Sequence, residues 1–220
     1  MIATLIQAWL YGLAHFQEFL GALAQHLRLV GVALGIGIAV CVPLGVWTSR
    51  SQLAAATVIN TFNGVRVIPS LAILFLAIPY FGLTFTAAAL ALTVLALPPI
   101  LINTDTAFRT IDPAIKEAAF GMGMSKWQVL RQIETPLAVP VILTGIKTAA
   151  IEVVASATLA AFIGAGGLGI YVTRGFALYD NSILLVGAIP VALLALITEL
   201  TISALQRVVG PPGYGTVQPN

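Results

Sequence analysis

Charged side chains are scarce in this sequence, which holds ten lysines and arginines and eight aspartates and glutamates in 220 residues. Soluble domains usually carry about 25% charged residues, whereas this chain carries 8%, with 59% hydrophobic residues and a mean hydropathy of +1.02. So few charges cannot cover a water-soluble particle of this size, and the sequence therefore predicts a protein that lies in a lipid bilayer. The formal net charge of +2 and the lack of any basic run argue against nucleic acid as a partner.

Cysteine occurs only at position 41 and histidine only at positions 15 and 26. Cys41 lies in an apolar run and cannot form an internal disulfide, so we interpret it as a small buried hydrophobe. His15 and His26 stand apart from any cluster of acids or metal ligands, and we interpret both as interfacial polar residues, which argues against a membrane-embedded enzyme. The first basic residue is Arg28. Because a cleavable signal peptide opens with a basic segment, we expect a mature N-terminus.

Long apolar stretches predict an all-α membrane protein with about five transmembrane helices, since about 20 apolar residues span the hydrocarbon. The predicted spans cover residues 27–47, 57–80, 84–103, 137–163 and 182–205. The N-terminal segment, 1–26, also carries polar residues, so we expect an outer-side interfacial helix there rather than a sixth span. Residues 27–206 then form one membrane domain. Residues 207–220 form a cytoplasmic tail, which glycine and proline make disordered from position 210 onward.

The basic residues predict the orientation of the chain. With the N-terminus outside, the inner segments contain Arg50, Arg207 and the basic residues of the loop between the third and fourth spans. Those loop residues are Arg109, Lys116, Lys126 and Arg131. The outer loops contain only Arg174, and Arg28 lies at the outer edge of the first span. The positive-inside bias therefore favours an outer N-terminus and an inner C-terminus.

Glycine and proline within the spans predict close packing and kinked helices. Gly31 and Gly35 have the GxxxG spacing, which Gly37 extends, and we assign these glycines a packing role. Prolines within or at the ends of spans remove backbone donors and favour kinks around a central path. They are Pro43, Pro69, Pro79, Pro98, Pro99, Pro140 and Pro190.

The polar loop of residues 112–136, between the third and fourth spans, carries clear helix signals. Asp112 followed by Pro113 is an N-cap with proline at the first helical position, so a short helix is expected to begin there. Gly121 and Gly123 are expected to break that helix.

A second helix is expected in the same loop. Ser125 followed three residues later by Gln128 forms a capping box, and Pro136 is expected to close the helix before the fourth span. The loop would then be a helix–turn–helix bracket that transmits the movement of a partner protein to the spans, or an ordinary connecting loop on the membrane surface. Its large apolar side chains suit either lipid headgroups or a partner's groove: Phe120, Met122 and Trp127.

The same loop resembles the EAA motif of ABC-importer permeases, which reads E-A-A, three residues, G, nine residues, I-x-L-P. The matching residues are Glu117, Ala118, Ala119, Gly123, Ile133 and Pro136. Thr135 departs from the pattern, since leucine is usual there. The resemblance implies that the bracket is a coupling helix that docks on a cytoplasmic ATPase, with Gly121 inside the coupling segment.

This resemblance also implies a set of partners in the bacterial cytoplasmic membrane. They are two ATPase subunits, a second permease chain and an extracytoplasmic substrate-binding protein. The chain has no G-x-x-x-x-G-K-[ST] phosphate loop, and residues 145–148 approach it only with the wrong spacing. We therefore expect a transport subunit without enzymatic activity and without a cofactor, with ATP and Mg²⁺ on the partner ATPase. Since five spans supply half a pathway, two permease chains should pair, as two copies or with a similar chain.

The resemblance covers residues 27–206 and points to the osmoprotectant permeases, which serve glycine betaine, carnitine, choline and proline betaine. The stretches that carry it are residues 67–72, Pro98 and Pro99, residues 103–104 and residues 157–164. Residues 166–169 complete the pattern, although methionine-type permeases share part of it. The implied fold is the type I, methionine-permease-like permease fold. An amino-acid importer is the alternative substrate class, and an ATP-independent channel or carrier is disfavoured because no inverted repeat is visible.

Polar residues within the second span are candidates for the translocation path. A charged side chain at mid-bilayer costs about 2.5–3.5 kcal/mol on insertion scales, so each needs a reason to be there. Asn60, Asn63 and Arg66 follow the spacing i, i+3, i+6 and share one helical face, which would line the pathway or the subunit interface.

Acidic residues in the later spans are further candidates. Glu152 falls near mid-membrane, where a carboxylate facing the path would offset the charge of a quaternary ammonium; its alternative is a structural partner for Arg66 or Lys147. Lys147 itself is interpreted as snorkelling toward the cytoplasm, and the role of Glu199 stays open. The outer loops hold too few aromatics for a quaternary-ammonium cage, so recognition is expected on the binding protein, with residues 164–180 as its docking surface, an outer gate or a re-entrant cap.

Overall fold

The computed structural model describes residues 2–210, and these residues form a helical bundle. In chain order the elements are α1 (Ile2–Ala14), α2 (Phe16–Thr48), α3 (Gln52–Arg66), α4 (Ser70–Phe81), α5 (Phe85–Arg109), α6 (Pro113–Gly121), α7 (Lys126–Val129), a π-helical turn (Leu130–Glu134), α8 (Thr135–Ser156), a 3₁₀ turn (Leu159–Ile163), α9 (Gly169–Ala177) and α10 (Asn181–Val209). Within this part of the chain, four helical stretches are long and apolar enough to cross a membrane, namely α2, α5, α10 and the continuous run Lys126–Ser156. The bent pair α3 and α4 adds a fifth. The expected all-α architecture with about five spans is confirmed.

The second predicted span is not one straight helix. The axes of α3 and α4 meet at 93°, and residues 67–69 separate them. Pro69 accounts for the break, because its ring has no N–H to continue the helix and it disfavours the helical conformation at Ile68. Pro69 itself is extended, with ψ 136°, and directly precedes α4.

The helix that contains the first predicted span begins earlier in the chain than that span. Helix α2 is continuous from Phe16, so the expected boundary after His26 falls inside it; the helical run is instead interrupted at His15, which lies between α1 and α2. The interfacial interpretation of His26 is wrong. Its side chain is 0% exposed, and Nε2 lies 3.2 Å from the backbone oxygen of Val154 on α8.

At the other end of the chain, α10 extends to Val209 and so includes the first residues of the expected tail, while residues 211–220 lie outside the described part. The fourth span also ends earlier than predicted, at Ser156. The chain then turns through the 3₁₀ turn into α9. Gly164, Gly166 and Gly167 have φ values of 71°, 75° and 78° in this connection, a left-handed conformation that glycine adopts without strain.

Helix α5 lies at the centre of the bundle, packed against α2 on one side and α8 on the other. Glycine permits both close approaches. A Cβ at Gly45 of α2 would lie 2.6 Å from the Cβ of Thr104, and a Cβ at Gly145 of α8 would lie 2.6 Å from the backbone oxygen of Pro99. The packing role expected of Gly31 and Gly35 is not seen within residues 2–210, where nothing lies within 4 Å of a Cβ at either position.

Candidate functional site

The first arm of the bracket is α6, and its ends have the expected local structure. The carboxylate of Asp112 accepts a hydrogen bond from the backbone N–H of Ala114 at 2.8 Å, which confirms the N-cap. At the far end, Gly123 has φ 83°. Its N–H donates to Phe120 O at 2.9 Å, and the N–H of Met124 donates to Ala119 O at 3.2 Å, so a Schellman motif ends the helix. Gly121 is the last helical residue rather than a breaker.

The second arm begins at the capping box, which is also confirmed. Ser125 N–H donates to the Gln128 side chain at 2.8 Å, and Gln128 N–H donates to Ser125 Oγ at 3.3 Å. The expectation that Pro136 closes this helix is wrong, because the helix continues through the π-helical turn into α8. The wider turn accommodates the proline, whose ring would clash with a carbonyl of a regular helix.

Thr135, the departure from the EAA pattern, has a local role in that turn. Its hydroxyl donates to Leu130 O at 2.7 Å, and its backbone N–H bonds to the same oxygen. Both bonds close the π-helical turn immediately before Pro136. A leucine at this position would supply only the backbone bond.

The bracket presents an apolar surface with a free carboxylate. Met122 and Trp127 are 73% and 66% exposed, and Phe120 is also exposed. Glu117 is exposed beside the buried Ala119. Of the eight acidic side chains, all in the described part of the chain, every one except Glu117 takes part in an ion pair or caps a helix.

Near the C-terminal end of the bracket, a buried carboxylate joins segments that are distant in the sequence. Glu134 is 2% exposed. Both terminal nitrogens of the Arg50 guanidinium, in the turn between α2 and α3, donate to it, Nη1 at 2.9 Å. Lys116 Nζ, from α6, lies 3.2 Å from the same carboxylate. The hydrogen bonds to Glu134 raise the pKa of Arg50 above its already high value.

The C-terminal end of α5 belongs to the same assembly. Arg109 forms two hydrogen bonds with Asp105, at 3.0 and 2.9 Å, and a third with the backbone oxygen of Thr48 at 2.9 Å. The guanidinium of Arg50 lies 6.0 Å from the ring centre of Phe108. These contacts fix the ends of α2 and α5 relative to the bracket.

The polar residues of the second span lie on an accessible face of the chain. Asn60 and Asn63 are exposed. Arg66 Nη2 lies 3.6 Å from Glu152 Oε1, with side-chain exposures of 48% and 34%. Arg66 and Glu152 are therefore paired with each other, yet both stay accessible from outside the single chain.

Lys147, which the sequence suggested would snorkel toward the cytoplasm, forms an ion pair with Glu199 of α10. Its Nζ lies 3.0 Å from Glu199 Oε1 and 3.2 Å from Ser203 Oγ, so it ties α8 to α10. In residues 2–210, no group of three or more His, Cys, Asp or Glu side chains converges to hold a metal ion.

Residues 31–211 match the family described as the binding-protein-dependent transport system inner membrane component. The chain belongs to this family. It is therefore a multi-pass inner-membrane permease, a transport component that is not itself catalytic.

Curated relatives cover nearly the whole permease. The glycine betaine/carnitine/choline transport system permease protein OpuCB of Bacillus subtilis is 40% identical over 196 residues, which is 89% of this chain and 90% of the relative. The carnitine transport permease protein OpuCB of Listeria monocytogenes is 43% identical over 182 residues, covering 83% and 84% of the two chains. The osmoprotectant import permease protein OsmW of Salmonella typhimurium is 39% identical over 194 residues, covering 86% and 90%.

Solved structures share the fold of this permease. A chain of the MetNI methionine ABC transporter, solved in inward-facing conformations, has a TM-score of 0.79 at 24% identity and covers 90% of this chain and 99% of its own. A chain of an amino acid ABC transporter has a TM-score of 0.68 at 21% identity, covering 90% and 95%. The expected methionine-permease-like fold is confirmed.

Sequence reasoning about the permease did not single out Glu134 or its partner Arg50. One local signal was available: Glu134 has apolar residues four positions before and after it, Leu130 and Ala138, so it lies on the apolar face of its helix. A carboxylate on such a face needs a cation nearby. The sequence does not say which cation, because Arg50 is 84 positions away.

Proposed function

We propose that this permease forms half of the translocation pathway of an ATP-driven importer of quaternary amines, the class of glycine betaine, carnitine and choline. The observation that carries the substrate class is the identity of 38–43% to permeases named for these compounds, over 83–89% of this chain. The methionine and amino acid transporters are under 25% identical and support the fold alone. An amino-acid substrate is therefore the second candidate.

The partners proposed for this permease are two cytoplasmic ATPase subunits, a second permease chain and a substrate-binding protein. Support for the ATPase comes from the bracket, which offers exposed apolar side chains around the unpaired carboxylate of Glu117. The coupling segment comprises Glu117, Ala118, Ala119, Gly121, Gly123, Ile133 and Pro136. ATP and Mg²⁺ would bind to the ATPase, and this chain would carry no cofactor.

The accessible face that includes Asn60, Asn63, Arg66 and Glu152 is proposed to line the translocation path. Its position supports this role, because Asn60, Asn63 and Arg66 are exposed and Glu152 is partly exposed on a single chain, although they belong to membrane-spanning elements. Exposure of charges to lipid is costly, so a second permease chain or water is expected to cover them. In transit, the carboxylate of Glu152 would offset the charge of a quaternary ammonium.

Replacing Glu152 tests this path. In the assembled complex, Glu152→Gln should lower uptake of labelled glycine betaine about tenfold or more, because a charged partner of the cation is lost. Glu199→Gln is the matched control, since it removes another carboxylate in the spans that is paired with Lys147. Equal uptake by the two variants and by the unaltered permease would refute the proposed role of Glu152 in the translocation path.

The orientation proposed for the permease places the N-terminus outside and the bracket and C-terminus in the cytoplasm. The segment 1–26 would then lie at the outer side, and residues 207–220 would lie in the cytoplasm. The charge distribution supports this orientation, as the bracket end carries Arg50, Arg109 and the basic residues of the bracket itself.

Co-purification from native membranes tests the proposed assembly. An ATPase and a binding protein should accompany the tagged permease, and the binding protein should bind glycine betaine, choline or carnitine in a ligand screen. Methionine added as a competitor distinguishes the second candidate. Purification without an ATPase would refute the proposal of an ATP-driven importer, and a binding protein that takes only amino acids would refute the substrate class.

A further inference from the structure

Glu134 holds together three segments that come from different parts of the chain. Its carboxylate is buried within the helical run that becomes α8. Arg50 approaches it from the α2–α3 turn, and Lys116 approaches it from the bracket helix α6. A buried carboxylate keeps its charge only with such partners, so a displacement of any one segment changes the environment of the other two.

Lys116 differs from the other basic residues of the bracket. Its side chain is 25% exposed and pairs with Glu134, and its Nζ also lies 3.4 Å from Phe108 O at the end of α5. Lys126 and Arg131 are exposed, and neither forms an ion pair within residues 2–210. Lys116 is therefore the charged link between the bracket and the ends of the membrane helices.

The backbone at Glu134 is π-helical rather than α-helical, and this geometry determines the direction of its carboxylate. Glu134 is the last residue of the π-helical turn. Such a turn inserts about one residue, and each residue of an α-helix advances the side-chain direction by about 100°. In an unbroken α-helix, Glu134 would be rotated by about that angle relative to α7, away from its present partners.

We propose that Glu134 is a positioning residue that, through Lys116 and Arg50, transmits movement of the bracket to the α2–α3 turn and thereby to α3. This rests on the proposed function, in which an ATPase moves the bracket. Arg50 lies two residues before α3, the helix that carries Arg66 and the accessible polar face. The ion pair thus connects the surface offered to the ATPase with the element proposed to line the path.

The test measures the number of substrate molecules imported per ATP molecule hydrolysed by the complete complex in proteoliposomes. Glu134→Gln and Lys116→Met should lower import per ATP about fivefold or more while the complex and its ATPase activity remain. Lys116→Arg, which keeps the charge, should restore the ratio. Lys147→Met is the matched control, because it breaks an ion pair of the same chemistry between α8 and α10, remote from the bracket, and should leave the ratio unchanged.

The outcomes separate this inference from the proposed function. If the unaltered complex imports nothing with ATP, the proposed function fails. If it imports normally and Lys116→Met keeps the same ratio in an intact complex, the role of Glu134 in transmission is refuted. Loss of assembly in both Glu134→Gln and Lys116→Met would also refute it, since the ion pair would then serve folding alone. A fall in the ratio for Lys147→Met equal to that for Lys116→Met would refute it as well.

Discussion

At the scale of single residues, the acidic side chains that have partners within the chain are distinguished from the one that is available for contact with another protein. Glu134, Glu152 and Glu199 form ion pairs with basic residues of the same chain, and Asp112 caps a helix. Glu117 has none of these roles in the described part of the chain, and its side chain is exposed. Its carboxylate is therefore available for the contact with an ATPase that is proposed above.

Glu117 is therefore expected to matter for assembly and not for folding. Glu117→Gln should weaken binding of the ATPase about tenfold, because a charge-assisted contact is lost, and should leave the melting temperature of the isolated permease unchanged. Glu18→Gln is the control, since Glu18 is an exposed glutamate at the opposite end with a contact of 4.0 Å to Arg174. Unchanged ATPase affinity for Glu117→Gln in a pull-down titration would contradict its docking role.

The residues that sequence reasoning placed correctly act on near neighbours. The Asp112 cap bonds to an N–H two positions away, and the Ser125 capping box spans three positions, so spacing alone identifies them. Glu134 and His26 bond to groups 84 and 128 positions away. Their roles depend on how the helices pack, which hydrophobic periodicity does not specify.

At the scale of elements, glycine and proline had effects that differed between positions. Pro69 breaks a span by about a right angle, as the 93° bend shows, whereas Pro136 is accommodated by a π-helical turn in a continuing helix. Pro98 and Pro99 lie within α5. The sequence predicted that prolines would disturb helices, and the surrounding packing decides whether the result is a break or a local adjustment.

Gly123 is expected to be required for the shape of the bracket. Gly123→Ala places a Cβ at φ 83°, which costs about 1–2 kcal/mol, and should lower both the stability of the permease and ATPase binding. Gly121→Ala is the matched control, because Gly121 is helical and a Cβ there meets nothing within 4 Å. It should be neutral or stabilising by about 0.5–1 kcal/mol. Equal melting temperatures for the two variants would contradict the role of the left-handed turn.

At the scale of the whole molecule, the bundle has two different ends. One carries the bracket, Glu134 and its basic partners. The other carries the glycine-rich connection that follows the 3₁₀ turn, where Gly167 N–H donates to the side chain of Gln25 at 3.3 Å. The family and the number of spans were predictable from sequence, and a pairing of Glu152 with Arg66 was one of the alternatives it offered. The right-angle bend between α3 and α4 depends on the folded bundle.

Labelling of single cysteines tests the orientation of this bundle. In a Cys41→Ser background, Met122→Cys on the bracket and Phe176→Cys on α9 are suitable, since these side chains are 73% and 74% exposed. A membrane-impermeant maleimide added to intact cells, after outer-membrane permeabilisation where needed, should label Phe176→Cys and not Met122→Cys. The reverse pattern would contradict the orientation with the bracket in the cytoplasm.

ATP-driven accumulation of substrate tests the central claim most directly. The permease would be reconstituted with its co-purifying ATPase and binding protein, with ATP supplied on the bracket face and labelled glycine betaine on the opposite face. Glycine betaine should accumulate on the bracket face only when ATP can be hydrolysed, and a non-hydrolysable analogue should abolish accumulation. Equal movement of glycine betaine with and without hydrolysable ATP would contradict the account.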